Sequence, residues 1–261
     1  MLHRMKLNSE PFEMIENGTK IVELRLNDEK RREVRLGDFI EFSHIDRPER
    51  KIQVRVTSLH PFSSFSELFK ALPKESFGFG TNETVPPDFM DSFYPREKQE
   101  QYGALGIGFR RTYLQRFIDA QDNGYDMAET YSQALAEIKA GRKETHWMWY
   151  IFPQVQGLGY SSITAYFSIK DLEEAVDYYE HPVLGERLTD ITSELLRTGK
   201  NDPVAVFGIP DAYKLRSCMT LFKKAAPGNG LFQQVLDKFC QGMEDDVTNA
   251  ILTGLGDRSG K

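Results

Sequence analysis

Two cysteines, Cys218 and Cys240, are all that 261 residues contain. So few exclude a disulfide framework, and both read as plain thiols, with Cys218 on an apolar helical stretch. No C-x-x-C, H-E-x-x-H or G-x-S-x-G spacing occurs, so the usual zinc sites and the serine nucleophile elbow have no anchor. A phosphate loop is missing too: GLGYSS, from Gly157, lacks both the lysine and the preceding strand. Neither a metal nor a cofactor is expected. No apolar run approaches the roughly 18 residues of a membrane span, and MLHRMKLNSEPF lacks the apolar stretch of a secretory signal. The expectation is a cytoplasmic protein with no membrane partner. Excess positive charge is also lacking. The net charge of -6 argues against indiscriminate nucleic-acid binding by the whole chain. The average hides a split, because residues 1–112 hold 18 Lys plus Arg against 18 Asp plus Glu, leaving 15 against 21 for residues 113–261. A phosphate-facing surface therefore belongs in the first half.

What is present divides at about Thr112 into two periodicities. The first half reads as α+β. PFEMIEN has the marks of a short helix, with Asn8 or Ser9 as cap, Pro11 in its first turn and Gly18 just past its end. KIVELRL, FIEFSHI and KIQVRVTSL alternate as strands, SSFSELFKAL suits a second helix, and YGALGIGF closes the half as a small-residue strand. PKESFGFGTNETVPPDFMDSFYP has no periodicity and reads as a long surface excursion of the kind that often carries function. From Tyr113 onward, YLQRFIDA, MAETYSQALAEIKAG, DLEEAVDYYE, GERLTDITSELLRTG, DAYKLRSCMTLFKKA, LFQQVLDKF and VTNAILTG space apolar residues by three and four. The expectation is two domains: residues 1–112 as a β-rich α+β domain and residues 113–261 as an all-α domain of short helices.

Charge is densest in GTKIVELRLNDEKRREVRLGD, which carries Lys20, Glu23, Arg25, Asp28, Lys30, Arg31, Arg32 and Arg35. A strand of period two places Glu23 and Arg25 on one face with Ile21, and Lys20 on the other. Cations mixed with a carboxylate are what a site for phosphate plus a base edge requires. A solvated edge strand defended by charge would read the same way. The pattern Gly18-x-Lys20-x-x-Glu23-x-Arg25, then Gly37-Asp38-x-Ile40-x-Phe42, KIQVRV, SFSELF and YPREKQEQYGALGI, resembles the ASCH family of small β-barrels related to the PUA fold. The resemblance covers residues 1 to about 111. It implies a PUA-like barrel whose cleft binds RNA or a modified nucleoside, with Lys20, Glu23 and Arg25 lining it; Gly18, Asp28 and Arg31 are further ligand-binding candidates of the segment. Some family members resemble amidohydrolases of acetylated cytidine and others cut RNA, which implies a hydrolase as the alternative, with Lys20 and Glu23 as its acid/base pair. Glu23 stands where the small hydrolytic members have Thr; it could serve as a base toward water, but not as a hydroxyl nucleophile. Tyr94, Tyr102, Phe77 and Phe79 are candidates for base stacking, or for plain core.

The second half places both tryptophans, Trp147 and Trp149, in KETHWMWYIFPQVQGLG. They suit either a stacking platform or a core wedge. His146, Trp147, Trp149, Gln154, Lys214 and Arg216 are candidates for binding a nucleotide-like ligand, since polar groups set in apolar motifs need partners. YLQRFIDAQ, GRKETHWMWYIFPQVQGLGYS, HPVLGERL and FGIPDAYKLRSCMTLF resemble, in order, a bacterial all-α family of unknown function with a mycobacterial, distantly armadillo-like representative. That resemblance implies an all-α fold over residues 113 to 254. A partner protein docking on the helical domain is a third reading.

Overall fold

The alternating runs of the first half become strands. In this computed structural model, which describes residues 1–254, β1 (Leu2–Leu7), β2 (Val22–Leu26), β3 (Phe39–His44), β4 (Lys51–Phe62) and β5 (Ala104–Thr112) form one curled sheet in the order β1-β3-β4-β5-β2. β1 runs parallel to β3 and the other pairings are antiparallel. β1 and β2 are thus the two edges. β1 was not expected; its inward residues are His3, Met5 and Leu7, and the histidine interrupts the apolar alternation that marks a strand.

Helix α1 (Ser9–Glu16) follows β1 and buries Phe12 and Ile15 against the sheet. Helix α2 (Phe65–Ala71) is capped by the Ser64 hydroxyl, which accepts from the Glu67 N–H. The excursion after it is not shapeless, since 3₁₀ turns form at Lys74–Ser76 and Phe89–Ser92, and α3 (Arg96–Tyr102) leads into β5. The sheet unit has two apolar clusters. One lies under α1 with Ile40, Phe42 and Val54; the other joins Val22 and Leu24 of β2 to Phe65, Leu68, Phe77 and Met90.

The regular elements of the remaining described residues are helices: α4 (Gln115–Asn123), α5 (Tyr131–Lys139), α6 (Met148–Ile151), α7 (Ser162–Phe167), α8 (Leu172–Glu180), α9 (Leu184–Arg197), α10 (Pro203–Phe207), α11 (Asp211–Ala225), α12 (Leu231–Cys240) and α13 (Asp246–Leu252). Each of the seven expected segments is a helix. α11 is the centre of the unit: it packs against α8, α10, α12 and α13, and Leu215, Cys218, Met219 and Phe222 are fully buried on it. Chain proximity separates two units, Met1–Gln115 and Arg116–Lys261.

Candidate ligand-binding site

The charged end of β2 builds the site. Glu23 and Arg25 lie on the face of β2 away from Val22 and Leu24, as alternation requires. Lys20 does not follow that alternation. It precedes the regular strand and makes an isolated bridge to Phe77, so the chain resets at the exposed Ile21 and Lys20 converges with Glu23 instead of opposing it. Its ammonium lies 3.4 Å from Glu23 Oε2, and Arg25 Nε lies 2.9 Å from Glu23 Oε1. Lys20 and Glu23 are each only 5% exposed. Lys20 has one further protein acceptor, the Phe77 carbonyl at 3.5 Å. Both contacts are long for a group with three donors, so the ammonium keeps capacity for another acceptor.

Arg25 is held from three sides. Besides Glu23, its Nη2 donates to the Lys6 carbonyl of β1 at 3.0 Å, and the Tyr94 hydroxyl supports its charge. Burial works against its charge, but Glu23 and Tyr94 outweigh that and hold the guanidinium pKa above its ordinary value. The contact with Lys6 spans the two edge strands of the sheet. In the seam between them is a cavity of about 920 Å³, lined by Lys6 and Leu7 of β1, Met14 of α1, the Lys20, Glu23 and Arg25 cluster, and aromatic side chains from residues 77–94.

Gly18, Asp28 and Arg31, also expected at this site, lie apart from the cavity lining. Gly18, at φ +81°, turns the chain out of α1. Asp28 and Arg31 serve each other: the Asp28 carboxylate accepts from the Arg31 N–H at 2.9 Å and from its guanidinium at 3.2 Å, fixing a local turn. Tyr94 is in the lining.

In the helical unit, Trp147 is fully buried. Its indole N–H donates to Glu137 Oε2 at 2.8 Å, and the same carboxylate accepts from the Glu144 and Thr145 N–H groups and the Thr145 hydroxyl. Burial raises the Glu137 pKa, but these bonds overcome it and hold the group below the usual carboxylate range. Trp147 is therefore a wedge locked into the core. Trp149 is partly exposed, with the Lys214 ammonium 5.0 Å from its ring centre. Lys214 and Lys143 each reach one oxygen of Asp211 at 2.8 Å, and Lys143 stands 5.2 Å from the Trp147 ring. Arg216 turns to Asp245 at 3.4 Å, the Gln154 carbonyl accepts from Ile169 N–H, and His146 is exposed.

Residues 111–252 match a family described as proteins of unknown function, DUF1810. The chain belongs to this family. Residues 5–112 match the ASCH domain, a PUA-type, RNA-binding-like fold, so the DUF1810 unit is preceded by an ASCH unit. Among solved structures, the conserved hypothetical protein Rv1873 from Mycobacterium tuberculosis is 40% identical over 54% of this chain and 96% of its own, with a TM-score of 0.51. Hypothetical protein PH0355 is 29% identical over 43% of this chain and 100% of its own, with a TM-score of 0.38. Protein PF0455 from Pyrococcus furiosus is 28% identical over 43% and 99%, with a TM-score of 0.32. None of the curated proteins matches the chain. Among the described residues, no helix is long and apolar enough to cross a membrane.

The ASCH unit contains cavity residues that the sequence reading passed over: Lys6, Met14, Phe89 and Phe93. Phe89 and Phe93 are four residues apart in DFMDSFYP, a spacing that brings rings together across one helical turn, and that was the available signal. Thr19, the hydroxyl nearest the motif, is exposed and donates to Asn17 Oδ1 at 2.7 Å; it is outside the cavity lining.

Proposed function

We propose that the ASCH unit binds one nucleotide, free or as part of an RNA strand, in the seam cavity. The observation that carries this reading is the buried Lys20, Glu23 and Arg25 cluster at a cavity of about 920 Å³. That volume lies in the range of small-molecule sites. In the buried cluster two cations face one carboxylate, while Lys6, Glu10 and Glu83 line the cavity further out; the buried cations favour a ligand bearing phosphate or carbonyl oxygens. Lys20 and Arg25 donate to phosphate or carbonyl oxygens, and Glu23 accepts from a base amino group. Calorimetric titration of the chain with cytidine and adenosine monophosphates and a short single-stranded RNA tests this. Lys20→Ala is expected to weaken binding by tenfold or more. Unchanged affinity in both Lys20→Ala and Glu23→Ala sinks the reading.

The 3.4 Å contact of Lys20 with Glu23 also supports a second reading, hydrolysis of an acetylcytidine-type amide or an RNA phosphodiester with this pair as acid and base. Thr19 is not placed to be a nucleophile, so a water molecule activated by Glu23 would take that part. Release of acetate from N-acetylcytidine, lost in Glu23→Gln, is the measurement. For the DUF1810 unit, the locked Trp147 favours a structural or partner-binding role over a stacking one.

A further inference from the structure

Resting on the cavity reading above, we infer that Phe93 is the stacking platform of the site and that the ligand carries a flat aromatic base. The rings lining the cavity differ in what they have left to offer. Phe77 is buried in the core cluster beside Leu68. Tyr94 lies parallel to Phe65, with ring centres 6.0 Å apart and planes 2° from coplanar, and its hydroxyl supports the Arg25 charge. Phe79 and Phe89 close on one another edge to face at 5.1 Å. Phe93 touches Phe89 at 5.5 Å yet stays 48% exposed while lining the cavity. A phenyl ring half open to water beside a charged cluster gains apolar contact when a flat ligand covers it.

Its position is fixed in advance. The Phe93 and Tyr94 N–H groups both donate to the Met90 carbonyl, at 3.1 and 2.9 Å. Asp91 accepts from Arg96 Nε at 2.7 Å and from Gln99 Nε2 at 2.9 Å, and Gln99 also donates to the Tyr94 carbonyl at 2.8 Å. These bonds tie the segment to α3. Phe93 is the chain neighbour of Tyr94, its Cα about 3.8 Å away, and Tyr94 reaches Arg25. Phe93, Lys20 and Arg25 line the same cavity, so a base on Phe93 and a phosphate or carbonyl at the cations would share it, and a segment held in place costs little to organise.

The test uses the full chain with cytidine monophosphate, adenosine monophosphate and ribose 5-phosphate in calorimetric titrations, and a thermal melt of each variant to confirm folding. Phe93→Ala is expected to weaken the nucleotides by about tenfold or more and to leave ribose 5-phosphate unchanged. Phe93→Tyr should restore nucleotide affinity and Phe93→Leu should not, because the flat face is what matters. If Phe93→Ala binds nucleotides as the wild type does while Lys20→Ala does not, the platform is refuted and the cavity reading stands. Equal losses for nucleotides and ribose 5-phosphate also refute it, by making Phe93 a support for the loop. If the wild type takes up none of the three, both inferences fall.

Discussion

Glu23 sits between two cations with almost no water to share the work, which makes it a stability determinant as well as a candidate ligand group. Removing it strands the buried Lys20 ammonium and Arg25 guanidinium. Glu23→Ala is expected to cost about 3 kcal/mol in urea denaturation, and the double variant Glu23→Ala, Lys20→Met less than the single, because one stranded charge goes with it. The motif spacing was enough to group Lys20, Glu23 and Arg25. It could not say that Lys20 turns to meet Glu23, because the reset at Ile21 comes from a bridge to Phe77, 57 positions away. Distance along the chain hid the role of Trp147 less than chemistry did: Glu137 is only ten residues earlier, but nothing in a helix-forming stretch marks a glutamate as the acceptor of four hydrogen bonds.

Two histidines act as caps at the level of the element. His44 Nδ1 accepts from the N–H groups of Asp46 and Arg47, and His181 Nδ1 from those of Val183 and Leu184. The geometry is the one an Asn or Asp side chain usually provides at a turn or helix start. At His181 it requires a neutral imidazole. Burial, with Arg187 adding to it, depresses the His181 pKa from 6.5 to about 4, so protons bind the unfolded chain first. The contribution to stability is complete above about pH 6.5, shrinks as pH falls, and is gone below about pH 4, a total of about 3 kcal/mol. His181→Asn keeps an acceptor without a proton to gain, so its urea midpoint should fall less than the wild type's between pH 7 and 4. Just beyond this cap, α9 meets the end of α8 with no room for a side chain: a Cβ on Gly185 would lie 1.8 Å from the Tyr179 carbonyl oxygen. Gly185→Ala should cost 3 kcal/mol or more, read as a lowered thermal midpoint. Helices of nine residues or more were legible because their apolar spacing repeats over two turns. α6, α7 and α10, at four to six residues, are too short to show a period, and they lean on tertiary packing, with local caps from Ser161 at α7 and Asp202 at α10.

At the scale of the whole molecule, acidity is concentrated after residue 112, and the first half is neutral overall. A chain so charged has little to offer a long phosphate backbone, and the cavity's cations are few. Single-stranded RNA binding should therefore weaken only gently with salt, with a slope of log affinity against log salt of about -1.4 for contacts limited to Lys20 and Arg25. A slope several times steeper would mean an extended RNA surface outside the seam. The division into a sheet unit and a helical unit was visible in the switch of periodicity at Thr112, and the family resemblance implied the barrel-like curl; the seam between β1 and β2 was not legible, since β1 itself escaped notice.

Trp147, fixed by Glu137, and Trp149, under Lys214, both belong to the helical unit, and the sheet unit has no tryptophan. The two units therefore differ optically. An unfolding curve drawn from tryptophan emission is a curve of the DUF1810 unit, and the ASCH unit is dark in it. A ligand entering the seam is better sought by calorimetry, or by backbone circular dichroism, where the strands contribute.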